Sequence, residues 1–156
     1  MKLHHFSIRT ADIFRSIAFY EGLGFAVEER FTAGITLACW MRGPWGRLEL
    51  MQVPQPHPAP DPFGDPHYVG YYHPAFEVGP EWGSLANYLE HLRAQVPLTL
   101  LLPPQLQQIG GQVYEVAFIA DPDGLPIELI RPQGSSGESL PQRPEDINKI
   151  NSWITS

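Results

Sequence analysis

The sequence predicts an α+β fold of two βαβββ modules, and three observations carry that prediction. The order strand, helix, three strands occurs twice, in copies of about 60 residues. A strand-like run bearing a histidine opens each copy, "HHFSI" and "YHPAF". Each copy closes on a glutamate held between apolar residues, "RLELM" and "PIELI".

The first module is read over residues 1–53. "KLHHFSIRT" alternates as a strand does. Asp12 is placed to cap a helix in which Ile13, Phe14, Ile17 and Tyr20 recur at helical spacing, and Gly22 and Gly24 stop it. Three strands follow, "FAVEERF", "GITLACWM" and "GRLELMQV", separated by the turn-like "TAG" and "RGPWG". Residues 54–68, "PQPHPAPDPFGDPHY", hold six prolines, which exclude a central strand or a helix interior. They read as a semi-rigid linker or lid, with His57 and His67 as solvated loop residues.

The second module is read over residues 69–132. "VGYYHPAFEV" is strand-like, although Pro74 keeps one nitrogen out of any ladder. "GSLANYLEHLRAQV" is a helix with Ser84 as its cap, a stripe of Leu85, Tyr88, Leu89 and Leu92, and His91 off that stripe. "PLTLLLP", "QVYEVAFIA" and "LPIELIR" supply three strands, with "DPDG" turning before the last. His5 and His73 stand 68 positions apart and Glu49 and Glu128 stand 79 apart, so the second copy carries 11 extra residues. "LLPPQLQQIGG", read as a surface loop, is the expected place for them. Residues 133–156 read as a linker and a short helix in which Ile147, Ile150, Trp153 and Ile154 share a face.

Composition narrows the function. Of 156 residues 43% are hydrophobic, enough for a packed interior, and no run approaches the ~20 apolar residues of a membrane span. The opening "MKLHHF" lacks the apolar core of a secretory signal. The net charge of -7, without a cluster of Lys and Arg, argues against a nucleic-acid partner. Cys39 is the single cysteine, so no intrachain disulfide forms; it is expected to be a buried small residue in a reducing, cytoplasmic setting.

Strand parity then sorts the polar residues. His5 shares a face with Ser7 and Arg9, Glu49 with Arg47 and Met51, His73 with Ala75 and Glu77, and Glu128 with Ile130. The alternate positions are apolar and suit packing beneath helices. Two imidazoles and two carboxylates suit a divalent ion such as Zn, Ni, Fe, Co or Mn. Two half-buried polar pairs, each histidine with one glutamate, would place the same residues without a metal.

"LHHFSIRTADIFRSIAFYEGLGF", "HPAFEV" and "FIADPDGLPIELI" resemble the vicinal-oxygen-chelate superfamily of glyoxalases, bleomycin-resistance proteins and extradiol dioxygenases, over residues 3–131. The resemblance implies paired modules forming a cupped, eight-stranded mixed sheet with helices on its convex face. It implies one metal held by His5, Glu49, His73 and Glu128, with His4 facing away. That ligand set is closest to the glyoxalase I (lactoylglutathione lyase) branch. The implied reaction is a proton shift on a 2-oxoaldehyde (glutathione) hemithioacetal through a metal-bound enediolate, with Glu128 carrying the proton and Glu49 as its counterpart. Arg9 matches the position that holds the glutathione carboxylate, whereas Val53 departs from the Asn of that branch. A homodimer is implied, often with modules from two chains completing each site. Two other activities fit the superfamily. One is a non-catalytic, antibiotic-resistance-like binder using Trp40, Trp45, Tyr71 and Tyr72 as stacking faces; the other is a metal-dependent dioxygenase.

Overall fold

The computed structural model describes residues 1–58, 67 and 69–135; the expected C-terminal helix and the middle of the proline-rich segment lie outside them. The first module runs β1 (Phe6–Thr10), α1 (Ile13–Gly22), β2 (Ala26–Ala33), β3 (Thr36–Gly43) and β4 (Gly46–Gln52). The second runs β5 (Ala75–Glu77), a 3-10 turn (Pro80–Trp82), α2 (Leu85–Arg93), β6 (Thr99–Ile109), β7 (Gln112–Ala120) and β8 (Pro126–Ser135). Sheet order is β1-β4-β3-β2 in one and β5-β8-β7-β6 in the other, so the two modules repeat one topology. In each, the first strand lies parallel to the last and the other pairs are antiparallel.

Both helices start where the sequence places a cap. The Asp12 carboxylate accepts from the amides of Phe14 and Arg15 at 3.0 and 3.2 Å, and Ser84 accepts from Asn87 at 3.2 Å. Gly24, at φ +89°, supplies the left-handed turn after α1. The absent side chain of Gly22 lets the helix end close on Val96, whose Cγ1 would lie 2.6 Å from a Cβ there. Ile13, Ile17 and Tyr20 are buried as expected, but Phe14 is exposed and Ser16 and Phe19 complete the inner face.

The eight strands divide into two four-stranded sheets, and no ladder joins them among the described residues. The modules meet through their helical sides instead. Ile8, Ile17, Leu48 and Leu50 of the first belong to the same buried cluster as Leu85, Leu89, Leu92, Ile119 and Leu129 of the second. A polar clasp fixes this docking. Tyr20 donates to buried Asp121 at 3.2 Å, Thr10 donates to Asp123 at 2.5 Å, and Arg15 pairs with Asp123 at 2.8 Å. Asp121 also accepts from the amides of Asp123 and Leu125, which shapes the "DPDG" turn. Burial, with the Asp123 charge beside it, pushes the Asp121 carboxyl up despite those donors.

Three expectations need correction. β1 begins at Phe6 rather than Lys2, and β5 at Ala75, one residue after Pro74; the Pro74 carbonyl still accepts from the Glu128 amide at 3.0 Å. "LLPPQLQQI" is strand rather than loop, because β6 is an edge strand whose bulges around Leu102 absorb Pro103 and Pro104. The 11 extra residues are therefore spread over the 3-10 turn, a longer β6 and the wider β7–β8 turn. Cys39 is buried as expected. Among the described residues no helix is long and apolar enough to cross a membrane.

Candidate metal centre

Each module presents one imidazole beside one carboxylate, on the sheet face away from the helices. His5 Nε2 lies 3.5 Å from Glu49 Oε2, and His73 Nε2 lies 3.2 Å from Glu128 Oε2. Each histidine sits just before its module's first strand, and each glutamate lies in the closing strand, Glu49 at the centre of β4 and Glu128 third in β8, between buried neighbours: Leu48 and Leu50, Ile127 and Leu129. Parallel pairing brings Ser7 opposite Glu49 and Ala75 opposite Glu128. Antiparallel pairing brings Trp40 opposite Glu49 and Phe118 opposite Glu128.

The first pair is heavily supported. Ser7 donates to Glu49 Oε2 at 2.7 Å and the Trp40 indole to Oε1 at 3.0 Å. Burial pushes the Glu49 carboxyl up, but these two donors and the nearby imidazoles outweigh it, and the group is held below its ordinary value. Arg47 lies 4.8 Å over the Trp40 ring, is forked onto Glu28 at 2.6 and 2.9 Å, and donates to His4 Nε2 at 2.7 Å. Hydrogen bonds from Arg47 and Arg42 take the Glu28 carboxyl down to about 2.

His4 does not face away. It precedes β1, where strand parity has no hold, and its Nδ1 lies 2.8 Å from His5 Nδ1. Since Arg47 occupies His4 Nε2 as donor, a neutral His4 carries its hydrogen on Nδ1 and gives it to His5. The His5 hydrogen then sits on Nε2, toward Glu49. An ion there would replace that hydrogen, which requires exposed His4 to turn.

The second pair is barer. The His73 ring meets Phe118 edge-on at 4.8 Å and Tyr72 at 4.5 Å. Its buried Nδ1 has no hydrogen-bond partner among the described residues. Exposed Arg9 forms no ion pair among them. The aromatic residues considered as stacking faces scatter. Trp40 lies beside the first pair, Tyr72 beside the second, Tyr71 near Phe6, and Trp45 among Phe25 and Phe76.

Two ligands of one ion, each about 2.0–2.2 Å from it, lie roughly 3.0–3.5 Å apart, so both pairs have ligand spacing and donor types suited to a borderline divalent ion. His73 departs from the usual pattern, in which a ligating imidazole gives its other N–H to a partner. The four residues do not converge: among the described residues no three His, Cys, Asp or Glu side chains gather closely enough to hold an ion. One chain holds two separate His–Glu pairs.

Ser7, Arg47 and the donor role of Trp40 were not apparent from residue types. The hairpin itself held the signal. Counting back three residues on each side from the Gly43–Gly46 pair brings Trp40 opposite Glu49.

A family profile described as Glyoxalase/Bleomycin resistance protein/Dioxygenase superfamily matches residues 2–129. No curated protein sequence matches the chain. Among solved structures, the chain is similar to a glyoxalase family protein from Enterococcus faecalis, at 25% identity and TM-score 0.65, covering 83% of this chain and 96% of that one. It shares its fold with the fosfomycin resistance protein FosX from Mesorhizobium loti, at 17% identity and TM-score 0.57, covering 82% of this chain and 89% of that one. The fold also matches a V278E mutant of glyoxalase I from Zea mays, at 21% identity and TM-score 0.59, covering 83% of this chain and 44% of that one.

Proposed function

Given that the chain belongs to the glyoxalase/bleomycin resistance protein/dioxygenase superfamily, we propose that it is a metal-dependent lyase or isomerase that shifts a proton between adjacent carbons of a 2-oxoaldehyde hemithioacetal. One observation carries the reading: a His–Glu pair at ligand spacing stands at matching places in both modules. His5, Glu49, His73 and Glu128 would hold the ion, one of Ni, Zn, Co, Fe or Mn. Since the pairs do not meet within one chain, each centre would take one pair from each copy of a homodimer; a two-fold axis then generates two equal sites. The ion supplies Lewis-acid polarisation of neighbouring substrate oxygens.

The two carboxylates have different freedom, which divides the work. Glu49 is fixed through both oxygens by Ser7 and Trp40. The second module has Ala75 and Phe118 at the matching positions, and neither side chain carries a donor. Glu128 is thus the carboxylate able to turn, to take a proton from one substrate carbon and to return it to the next. Glu49 stays in place as its counterpart on the other half of the site. Arg9 offers its fork to a substrate carboxylate, such as that of glutathione.

Metal analysis of the purified protein, followed by assay of the methylglyoxal–glutathione hemithioacetal for thioester formation, tests this reading. The expected result is about one ion per chain, lost in Glu49→Ala, with turnover that requires it. Protein that stays metal-free and inactive after each of the five ions is added overturns the reading.

A further inference from the structure

On the opposite side of the second sheet from Glu128 lies a cavity of about 340 Å³, between the end of α1, the β3–β4 turn, the 3-10 turn and the Tyr88–His91 side of α2. Phe76 and Leu129 contribute to its floor, and along their strands they alternate with Ala75 and Glu128. The cavity is therefore separate from both His–Glu pairs, at the low end of the roughly 300–1,000 Å³ typical of small-molecule sites.

Its lining combines two features. Four aromatic rings form its walls in two couples: Trp45 with Phe76, centroids 5.1 Å apart, and Trp82 with Tyr88, 5.2 Å apart. Trp45 is half exposed there, although large apolar side chains normally withdraw from water. Two carboxylates, from Glu21 and Glu81, complete the lining, and neither forms an ion pair among the described residues; Glu77 adds backbone only, its side chain sharing the Ala75 face of β5. No Lys or Arg lines it; its single basic group, His91, packs on Trp82 at 4.5 Å.

We propose that this cavity binds a small organic cation, an ammonium group carried on an apolar or aromatic body. Ring faces attract a cation through their quadrupoles, and the apolar floor covers the body of such a ligand. The surrounding carboxylates match the ammonium and repel an anion of the same shape. The protein's net charge of -7 favours the approach of cations from solution. A purely apolar ligand would leave the two carboxylates without a role.

Titration of the full chain with phenyltrimethylammonium by calorimetry tests the proposal, with tert-butylbenzene as the neutral body of equal shape and benzoate as the anion. Saturable binding of the cation is expected, at least about ten-fold tighter than either control. Trp82→Ala should abolish it, and Glu21→Gln with Glu81→Gln should weaken it about three- to ten-fold and flatten its salt dependence. Trp45→Ala, on an exposed turn, gives the same reading if Trp82→Ala fails to fold. Metal content is the internal control and should not change in these variants. Absence of saturation up to millimolar cation, equal affinity for tert-butylbenzene, or binding unaffected by loss of either indole overturns the proposal.

Discussion

Trp40 donates its indole N–H to Glu49 across the β3–β4 ladder at 3.0 Å, from the position directly opposite. Trp40→Phe keeps a ring over which Arg47 can lie and removes only that donor. The Glu49 carboxyl should move back up, and affinity for the proposed ion should fall about ten-fold, as loss of a ligand's supporting hydrogen bond commonly does. Competition with a coloured chelator measures the change. An unchanged dissociation constant would remove Glu49 from the ligand set or Trp40 from its support.

The proposed sharing of each centre between two chains makes complementation possible. A protein carrying His5→Ala and Glu49→Gln should be inactive, and so should one carrying His73→Ala and Glu128→Gln. Unfolded together and refolded, they should regain about a quarter of wild-type activity, because half of the dimers are mixed and each mixed dimer has one intact site. No recovery would place both pairs of each centre in one chain.

The buried Asp121 should tolerate one replacement and not another. Asp121→Ala leaves the Tyr20 hydroxyl and two backbone amides without their acceptor, and should cost roughly 2–4 kcal/mol. Asp121→Asn keeps an acceptor without the buried charge and should cost less than about 1 kcal/mol at neutral pH. Its folded value is raised, so the charged form weakens the fold as pH climbs from the ordinary value of 3.8 through the folded one. Asp121→Asn should erase that component. Denaturant midpoints across this range measure both effects.

Glu28 gives a dependence of the opposite sign. Its carboxyl titrates at about 2 in the folded protein against an ordinary 4.5. Its pairing with Arg42 and Arg47 therefore contributes fully above pH 4.5 and fades as pH falls toward 2. Between about pH 6 and pH 3 the wild type should lose more of its urea midpoint than Glu28→Gln does. High salt should narrow the difference, since the pair is exposed.

Much of the fold was legible because it is local. Asp12 and Ser84 announce helix starts through their own side chains, and the stripe from Leu85 to Leu92 declares which face is buried. Strand limits were less legible because they depend on a partner. β1 starts at Phe6, where its register with Leu48 begins, and the alternating pattern back to Lys2 carries no information about that. His4 was misassigned for the same reason. β6 was hidden by Pro103 and Pro104, whose cost depends on lying at a sheet edge, a tertiary fact. For the candidate site, the pairing of each histidine with a glutamate was readable from the repeat. Which glutamate joins which histidine, and that the pairs stay apart, depends on sheet order and module docking.

The clasp between the modules joins residues far apart in the chain, Thr10 to Asp123 across 113 positions and Tyr20 to Asp121 across 101. At ribosomal speeds of about 5–20 residues per second, Thr10 waits on the order of ten seconds for its partner to be polymerised. Until then Tyr20 lacks its partner Asp121, and the buried cluster that the two modules share lacks Ile127 and Leu129. Association with chaperones during translation, and clumping when synthesis stalls before Asp121, follow from this late closure.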